Sequence, residues 1–333
     1  MERNTGGLVV IGSSNVDLVM RVPKIPAPGE TVGDGHFEEF LGGKGANQAC
    51  AAARLNPSSE PVTFVTCLGD DSFGERSKQA FASYGLRDEG VSIIAGEHTG
   101  TALIVVDEHA ENAIAVAPGA NAFCNAKHLR KNDDLLRRAS CLLLQNETAD
   151  DCLPAIAELL FPKTHIARYS DHAESGSAPR LVYNPAPAKK MELSLLSVVD
   201  TLIVNESEAA FLSGFDANDD NQQRSSQCAF FHEKGVHTVI LTLGSRGLFY
   251  SIAQAKDFLQ QELPAPKVSA VDTTGAGDTF CGTYASALAA GYERVQAIER
   301  AVVAASLSVT KAGAQSSVPT SGELADVLKG SKR

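Results

Sequence analysis

Short apolar runs alternate with helix-forming segments along most of this 333-residue chain, and this alternation restricts the possible folds more than any other feature. Residues 8–11, 62–68, 141–145 and 201–204 are four such runs, and polar or glycine-containing segments follow them. Short runs that are apolar at nearly every position are typical of parallel strands buried on both faces. The alternation therefore predicts an α/β fold with a Rossmann-like, mostly parallel central sheet flanked by helices.

One part of the chain departs from this alternation. Residues 101–106 and 113–117 are apolar and enclose a polar turn, which indicates an antiparallel hairpin. Three prolines between residues 23 and 28 exclude a helix there and favour edge strands and turns. We predict one α/β domain over residues 1–333 with a small β-sheet acting as a lid, while a plain extension of the main sheet is the alternative. The predicted lid is formed by about residues 18–40 and 91–118.

The charge balance and the cysteines limit the class of partner and compartment. The formal net charge is −11 at pH 7 and no basic run is present, so nucleic acid is not an expected partner. No apolar segment has the length of a bilayer span, so no membrane partner is expected. Seven scattered cysteines without a Cys-x-x-Cys pair favour reduced thiols in the cytoplasm. The ending Ser331-Lys332-Arg333 makes a microbody location a minor alternative.

A glycine-rich loop near the C-terminal end holds the strongest indication of catalysis. Gly275, Ala276 and Gly277 precede a run of helix-forming residues, and Asp278 lies in the predicted first turn. Free N–H groups at a helix N-terminus bind anions, and glycines let a phosphate approach the backbone. An acid would repel the anion in a pure binding site, but it suits a base that takes a proton from an attacking hydroxyl. We therefore predict phosphoryl transfer, with ordinary helix capping as the alternative.

Other polar residues also follow predicted strands. Asn15 and Asp17 come after residues 8–11, and Glu147 comes after residues 141–145. In open α/β sheets this edge binds ligands, although Asn and Asp also favour turns for local reasons. Asn47, in the first turn of the helix after a second glycine-rich loop, has the donors and acceptors that a polyol requires.

Asn205 and Glu208 open the helix that follows residues 201–204. Carboxylates at this position suit Mg²⁺ bound through water, and an acidic first turn that complements the helix dipole is the alternative. The helix N-terminus is also expected to keep the pKa of Asp278 low, so that the base is ionised near neutral pH.

Residues 42–48 (GGKGANQ) and 272–280 (DTTGAGDTF) resemble, in the correct order, the two signature regions of the ribokinase family of PfkB-type carbohydrate kinases. The segment Asn184-Pro185-Ala186-Pro187-Ala188 and the residues 205–208 and 242–247 also follow the family order, so the resemblance covers nearly the whole chain. It implies a ribokinase-like fold and phosphorylation of D-ribose at its 5-hydroxyl by ATP.

The resemblance implies roles for individual positions, with Asp278 as general base and Gly275, Ala276 and Gly277 as the anion hole. The implied sugar-binding residues are Asn15, Asp17, Gly43, Lys44, Gly45, Ala46, Asn47, Glu147 and Asp278. The implied residues for ATP and Mg²⁺ are Asn205, Glu208, Thr242, Leu243, Gly244, Ser245, Arg246, Gly247, Gly277 and Val302. The implied site for an activating K⁺ comprises Asp272, Thr274, Ser308, Lys311, Gly313 and Ser317, several of them through backbone oxygens.

One residue and one segment depart from the family pattern. Val302 stands where a polar or aromatic group is expected near the adenine, which implies mainly apolar contacts to the base. Residues 161–179 are longer than the family norm and are interpreted as a surface insertion. The resemblance further implies a homodimer that forms through the lid.

Two other functions are compatible with the same residues. One is a related kinase for another furanose or a nucleoside, such as a fructokinase or an adenosine kinase. The other is a non-catalytic sugar-binding regulator on the same fold, against which the intact Asp278 and its anion loop argue.

Overall fold

A nine-stranded sheet forms the centre of the computed structural model, which describes residues 6–109, 111–161, 178–215 and 221–330. The strands in chain order are β1 (Gly6–Ile11), β2 (Asn15–Arg21), β3 (His36–Gly42), β4 (Thr63–Gly69), β5 (Arg87–Ile94), β6 (Gly100–Val106), β7 (Asn112–Ala117), β8 (Ala139–Gln145), β9 (Arg180–Asn184), β10 (Thr201–Asn205), β11 (Thr238–Thr242), β12 (Leu248–Ala253) and β13 (Phe258–Leu263).

The order across the main sheet is β13-β12-β11-β10-β9-β8-β1-β4-β5. All neighbouring strands between β5 and β11 in this order are parallel. At the other edge, β12 pairs antiparallel with β11, and β13 pairs antiparallel with β12. The predicted Rossmann-like, mostly parallel sheet is therefore confirmed.

Helices cover both faces of this sheet. They are α1 (Lys44–Arg54), α2 (Ser72–Ser83), α3 (Ala126–Lys131), α4 (Asp133–Arg138), α5 (Cys152–Leu160), α6 (Glu206–Ser213), α7 (Asn221–Glu233), α8 (Ala276–Ala289), α9 (Arg294–Ser308) and α10 (Ser321–Gly330). Because successive strand residues face opposite sides, Val9 and Ile11 pack in one core with α5 and α7, whereas Leu8 and Val10 pack in the other with α1, α8 and α9. Burial on both sides explains why the runs are continuously apolar.

A separate four-stranded sheet in the order β3-β2-β6-β7 lies where the lid is predicted, and we refer to it as the lid. The predicted hairpin is the antiparallel pair β6 and β7, whereas β2 and β6 pair in parallel. The predicted bounds need correction, because the lid strands begin at Asn15 and end at Gly42 in the first segment. In the second segment, Val91 to Ile94 belong to β5, which extends the main sheet beside β4.

Two predictions concern residues outside those described. They are the surface insertion, of which residues 162–177 are not described, and the C-terminal residues 331–333. Within the described parts of the chain, no helix combines the length and the apolar character that a membrane span requires. All seven cysteines are buried free thiols.

A bidentate ion pair joins α9 to the amino end of β10. The Arg294 guanidinium donates from Nη1 to Asp200 Oδ2 at 2.7 Å and from Nη2 to Asp200 Oδ1 at 2.9 Å. Both side chains are mostly buried, with exposed fractions of 20% and 14%. Burial opposes ionisation of Asp200, but the Arg294 charge and hydrogen bonds outweigh it and hold the pKa of the carboxyl well below its ordinary value.

We expect Arg294→Met to lower the free energy of unfolding by about 3 kcal/mol, because it leaves a carboxylate buried without its partner. Urea unfolding at pH 7 measures this loss, and adding Asp200→Leu should recover most of it. Since the pKa of Asp200 is lowered by folding, its stabilisation is present at neutral pH and is lost as the pH falls below about 4. A decrease in the free energy of unfolding of less than about 1 kcal/mol would contradict this expectation, because exposed surface ion pairs have effects of that size.

Candidate active site

The carboxyl ends of the parallel strands and the N-termini of α1 and α8 meet at one edge of the sheet. Ser13 follows β1 and donates from Oγ to Glu147 Oε2, which follows β8, at 2.7 Å. Asn184, the last residue of β9, accepts at Oδ1 from Gln48 Nε2 of α1 at 3.1 Å. These two hydrogen bonds bring residues from three strand ends and a helix together at this edge, where α/β sheets bind ligands.

Asp278 lies buried in the first turn of α8. Its Oδ1 accepts from Gln48 Nε2 at 2.9 Å, and its Oδ2 accepts from Asn47 Nδ2 at 3.0 Å. Burial raises the pKa of this carboxyl, against the opposing effects of the Lys44 charge and the two amides. The expectation of a low pKa was wrong, because loss of solvation outweighs the groups that favour the ionised form. A raised pKa makes Asp278 a stronger base than an exposed aspartate.

The Lys44 ammonium lies among carboxylates. Asp278 raises the pKa of Lys44 most, burial opposes this, and Glu147 and Glu208 raise it further. The backbone N–H of Lys44 donates to Glu147 Oε2 at 2.9 Å, which fixes the start of α1 against the end of β8. Lys44 therefore remains charged and supplies the site with a cation that is close enough to affect three acids.

Asn15 and Asp17 lie on the first lid strand, β2, at its junction with the main sheet. Asn15 Oδ1 accepts from Asn121 Nδ2 at 2.8 Å, which leaves the Asn15 amide nitrogen as a donor for a ligand. Burial, followed by the charges of Glu147 and Asp278, raises the pKa of Asp17 to about 6. The structure thus brings all three predicted sugar-binding acids within electrostatic reach of one another.

The glycines at this edge serve two different purposes. A Cβ on Gly45 would lie 2.4 Å from the carbonyl carbon of Gly12, and one on Gly282 would lie 2.2 Å from the carbonyl oxygen of Gln48. These contacts let α1 approach β1 and α8 closely. A Cβ on Gly277, in contrast, would meet no atom within 4 Å, so the first turn of α8 opens onto free space.

Gly275 begins α8 in the left-handed region, with φ of 73°. A side chain there would be strained and would also contact Ala314, since its Cβ would lie 2.9 Å from the Ala314 Cα. The N–H groups of Gly277 and Asp278, in the first turn, precede any acceptor within the helix. The geometry of Gly275, Ala276 and Gly277 therefore suits the predicted binding of an anion beside the Asp278 carboxylate.

Where the nucleotide is predicted to bind, Asn205 and Glu208 form a reciprocal capping box at the start of α6. Glu208 N donates to Asn205 Oδ1 at 2.8 Å, and Asn205 N donates to Glu208 Oε2 at 2.9 Å. This capping is a local structural role of both residues, and it occupies only one Glu208 oxygen among the described contacts. Burial raises the pKa of Glu208, and the Lys44 charge opposes it, so this carboxyl also faces the shared site.

The loop after β11 lies beside this cap, because Thr242 pairs with Asn205 in the sheet register. Gly244, Ser245 and Arg246 are exposed, and Leu243 is buried. Gly247 has φ of 97° and packs against the Leu263 carbonyl oxygen, so the loop must turn sharply here. Val302 is only 6% exposed and packs in the core, which leaves it little surface for an adenine contact.

The predicted cation-binding residues come from two loops that Asp272 joins. Asp272 Oδ1 accepts from Thr274 N and Oδ2 accepts from Gly313 N, each at 2.9 Å. Partial burial opposes ionisation, but these N–H groups outweigh it and lower the pKa of Asp272. Lys311 directs its ammonium to Glu323 at 2.8 Å, so only its backbone remains for a cation.

The remaining cation-binding candidates are held by local contacts. Ser308 is buried and its carbonyl oxygen accepts from Lys311 N, while Ser317 Oγ donates to the Ala314 carbonyl oxygen. Within the described residues, no group of three or more His, Cys, Asp or Glu side chains is arranged to hold a metal ion.

Sequence reasoning missed a set of buried amides in this site. They are Gln48, Asn121, Gln145 and Gln315, and Asn184 was quoted without a role. Gln48 could have been found, because it is a polar residue in an otherwise small and apolar helix segment directly after Asn47. The others carry no local signature, since they reach the site only through pairing of distant segments.

The comparisons with known proteins agree along nearly the whole chain. A family model described as pfkB family carbohydrate kinase matches residues 6–321. The chain is 37% identical to a ribokinase from Haemophilus influenzae, over 97% of this chain and 98% of the relative. It is 31% identical to a deoxyribokinase from Salmonella typhi, over 94% and 95%. It is also similar to the solved structure of Arabidopsis thaliana ribokinase complexed with ribose and ATP, with a TM-score of 0.84, 30% identity and coverage of 97% and 99%.

We expect Gly282→Ala to lower the free energy of unfolding by about 2 kcal/mol, since its Cβ would press on the α1 backbone. Gly277→Ala is the matched control, because its Cβ meets open space and alanine favours the helix, so stability should stay within about 1 kcal/mol or rise. Urea unfolding of both variants measures the difference. Equal stability of the two variants would contradict close packing of α1 on α8.

Proposed function

This chain belongs to the pfkB family of carbohydrate kinases, and we propose that it is an ATP-dependent ribokinase, which phosphorylates D-ribose at its 5-hydroxyl. The observation that carries this proposal is the buried Asp278 carboxylate, held by Asn47 and Gln48 directly beside the anion-binding turn of α8. The full-length similarity to ribokinases supports ribose as the acceptor and ATP as the donor.

The site residues account for the steps of such a transfer. Asp278 takes the proton of the sugar 5-hydroxyl as that oxygen forms a bond to the γ-phosphorus, and the bond from the γ-phosphorus to the bridging oxygen of ADP breaks. The N–H groups at the start of α8 and the Lys44 ammonium stabilise the charge on the transferring phosphoryl group. The proton ends on Asp278, whose raised pKa suits this role.

Asn15, Asp17 and Glu147 are proposed to bind the other sugar hydroxyls, with the backbone of Gly43, Gly45 and Ala46 completing the pocket. The carboxylates accept hydrogen bonds from hydroxyl groups, and the Asn15 nitrogen donates one. Asn15 is 7% exposed and Asp17 half-buried, so water is largely excluded from these contacts.

Mg²⁺ and ATP are proposed to bind at the α6 cap and the loop after β11. Glu208 fits Mg²⁺ because one carboxylate oxygen remains outside the capping box, and Asn205 lies next to it. Mg²⁺ bound with ATP neutralises charge on the phosphate oxygens. Gly244, Ser245 and Arg246 are exposed at the strand edge, which suits contacts to the nucleotide.

We extend the proposal to an activating K⁺ between the two loops that Asp272 joins. The donor set fits a large monovalent cation, since it consists of one ionised carboxylate and neutral backbone or hydroxyl oxygens. The loop of Asp272 continues into Gly275 and Gly277, so a bound cation would stabilise the anion-binding turn.

The test is ADP production from ATP and Mg²⁺ with D-ribose, 2-deoxyribose, fructose or adenosine as acceptor, each with K⁺ or with Na⁺. We expect the highest kcat/KM with ribose and a higher rate in K⁺ than in Na⁺. Preference for 2-deoxyribose, which the similarity to a deoxyribokinase makes the second candidate, would keep the kinase and replace the sugar. Sugar binding without turnover of any acceptor would favour a regulator.

Asp278→Asn should lower kcat with ribose by about a thousandfold, because the amide cannot accept the proton. The fold should persist, since the amide has nearly the same shape, and thermal unfolding checks this. Near-normal turnover in the folded variant would exclude Asp278 as the base.

The proposal includes a homodimer through the lid. β7 is exposed along its whole length, and its Ile114 and Val116 side chains are more than half exposed. Val116 shares a face of the lid with Asp17, because both pair with Ala102. A second copy on this face would cover apolar surface and would also close the sugar side of the site.

We expect light scattering after gel filtration to give twice the 35.0 kDa mass of one chain. Val116→Asp should yield monomers, because it places a charge in the apolar face. Val268→Asp, at an exposed valine outside the lid, is the matched control and should remain dimeric. A monomeric native chain would rule out this interface.

A further inference from the structure

Two glutamines lie directly behind the pair of amides that holds Asp278. Gln315 Nε2 donates to Asn47 Oδ1 at 3.2 Å, and Gln145 Nε2 donates to Gln48 Oε1 at 2.7 Å. Gln145 is 1% exposed and Gln315 is 5% exposed, so neither interaction has water as a ready substitute. Each oxygen of the Asp278 carboxylate is therefore the end of its own chain of two amides.

The direction of these hydrogen bonds is set by charge. An ionised carboxylate only accepts, so Asn47 and Gln48 must both turn their NH₂ groups toward Asp278 and their carbonyl oxygens away from it. The NH₂ groups of Gln315 and Gln145 meet those carbonyl oxygens. Rotation of Asn47 or Gln48 by half a turn would place an oxygen against the carboxylate and an NH₂ group against an NH₂ group. The two glutamines thus favour the one orientation that serves the base.

Each glutamine is itself held in this orientation in a different way. Gln315 Oε1 accepts from the Cys50 thiol at 3.5 Å. Gln145 Oε1 is buried and has no hydrogen-bond partner within the described residues, a state that costs free energy. Gln145 nevertheless keeps its NH₂ group on Gln48, because the opposite rotation would place two carbonyl oxygens in contact. Gln145 thus leaves its own oxygen unpaired while its NH₂ group supports Gln48, which indicates that the arrangement is organised around Asp278.

We propose that Gln315 and Gln145 are positioning residues for the general base, Gln315 acting through Asn47 and Gln145 acting through Gln48. This inference rests on the proposed kinase function, in which Asp278 must face the sugar hydroxyl while its two oxygens stay fixed. The side chains act on kcat, because they orient the base without contacting the sugar.

The kinetic test compares Gln315→Met and Gln145→Met, alone and in an Asn47→Ala background. Methionine keeps the length of glutamine and removes the amide. We expect each single variant to lower kcat about tenfold, the effect of one weakened hydrogen bond to a charged group, with the KM for ribose changed less than about threefold. In the Asn47→Ala background, Gln315→Met should have no further effect, whereas Gln145→Met should still lower kcat about tenfold.

Gln227→Met is the matched control for general loss of packing, since Gln227 is also 5% exposed but lies in α7, away from the site. It should leave kcat unchanged. If Gln315→Met lowers kcat equally with and without Asn47, or if neither glutamine matters more than Gln227, the inference fails. Should Gln315→Met not fold, Gln145→Met tests the same arrangement through a Gln48→Ala background.

A second readout does not need turnover, so it separates this inference from the proposed function. Carboxyl-carbon NMR gives the pKa of Asp278, with Asp278→Asn assigning the signal. The charged or titratable groups that act on it are Lys44, Glu147, Asp17, Glu208 and Cys281. We expect the pKa of Asp278 to rise in Gln315→Met and Gln145→Met, because weaker donors stabilise the ionised form less, and to stay constant in Gln227→Met. An unchanged pKa in both glutamine variants would overturn the inference even in an inactive protein.

Discussion

The contact between α1 and α8 is the interaction on which the site depends. Asp278 is buried there, and a buried carboxylate is tolerated only where donors replace the water that it has lost. Asn47 and Gln48 supply those donors from consecutive positions of α1, at 3.0 and 2.9 Å. They reach Asp278 because Gly282 lacks a side chain one turn later in α8, so that the Gln48 backbone can pass close to it. A packing requirement and an electrostatic requirement are therefore met by the same helix pair.

The fold explains why the other functional groups gather around this contact. Parallel strands deliver their carboxyl ends to one edge. The segments after β1 and β8 bring Ser13 and Glu147 there, and the last residues of β9 and β10 are Asn184 and Asn205. The lid begins at the same place, since β2 starts at Asn15 only four residues after β1 ends at Ile11. Small displacements of the lid would therefore move Asn15 and Asp17 relative to Asp278. In the proposed kinase, this would couple closure of the sugar pocket to the reacting groups.

The sequence predicted what depends on local pattern. The continuous apolar runs predicted a parallel sheet correctly, because burial on both faces leaves no alternation, and the glycine-rich turn with Asp278 was placed correctly at a helix start. Residues 91–94 were assigned to the lid, because their apolar character fits either sheet and only pairing with β4 decides between them. The raised pKa of Asp278 could not be predicted from its position in the helix, because it results from burial by segments elsewhere in the chain. Gln315 is 268 residues from Asn47 and carries no local signature at all.

The acidic net charge and the need to bind anions are reconciled by where the charges lie. The site itself contains Asp17, Glu147, Glu208 and Asp278, with Lys44 as the cation among them. Such a set repels a free phosphate at a distance, but burial, together with the mutual repulsion of the acids, raises the pKa values of Asp17, Glu208 and Asp278. The same set keeps Lys44 protonated. Backbone N–H groups at the start of α8 carry no net charge to be neutralised by these acids. In the proposed transfer they would therefore bind the phosphoryl group, where a further lysine would pair with a carboxylate instead. A base and an anion site can therefore lie side by side, because one uses side-chain charge and the other uses the oriented backbone.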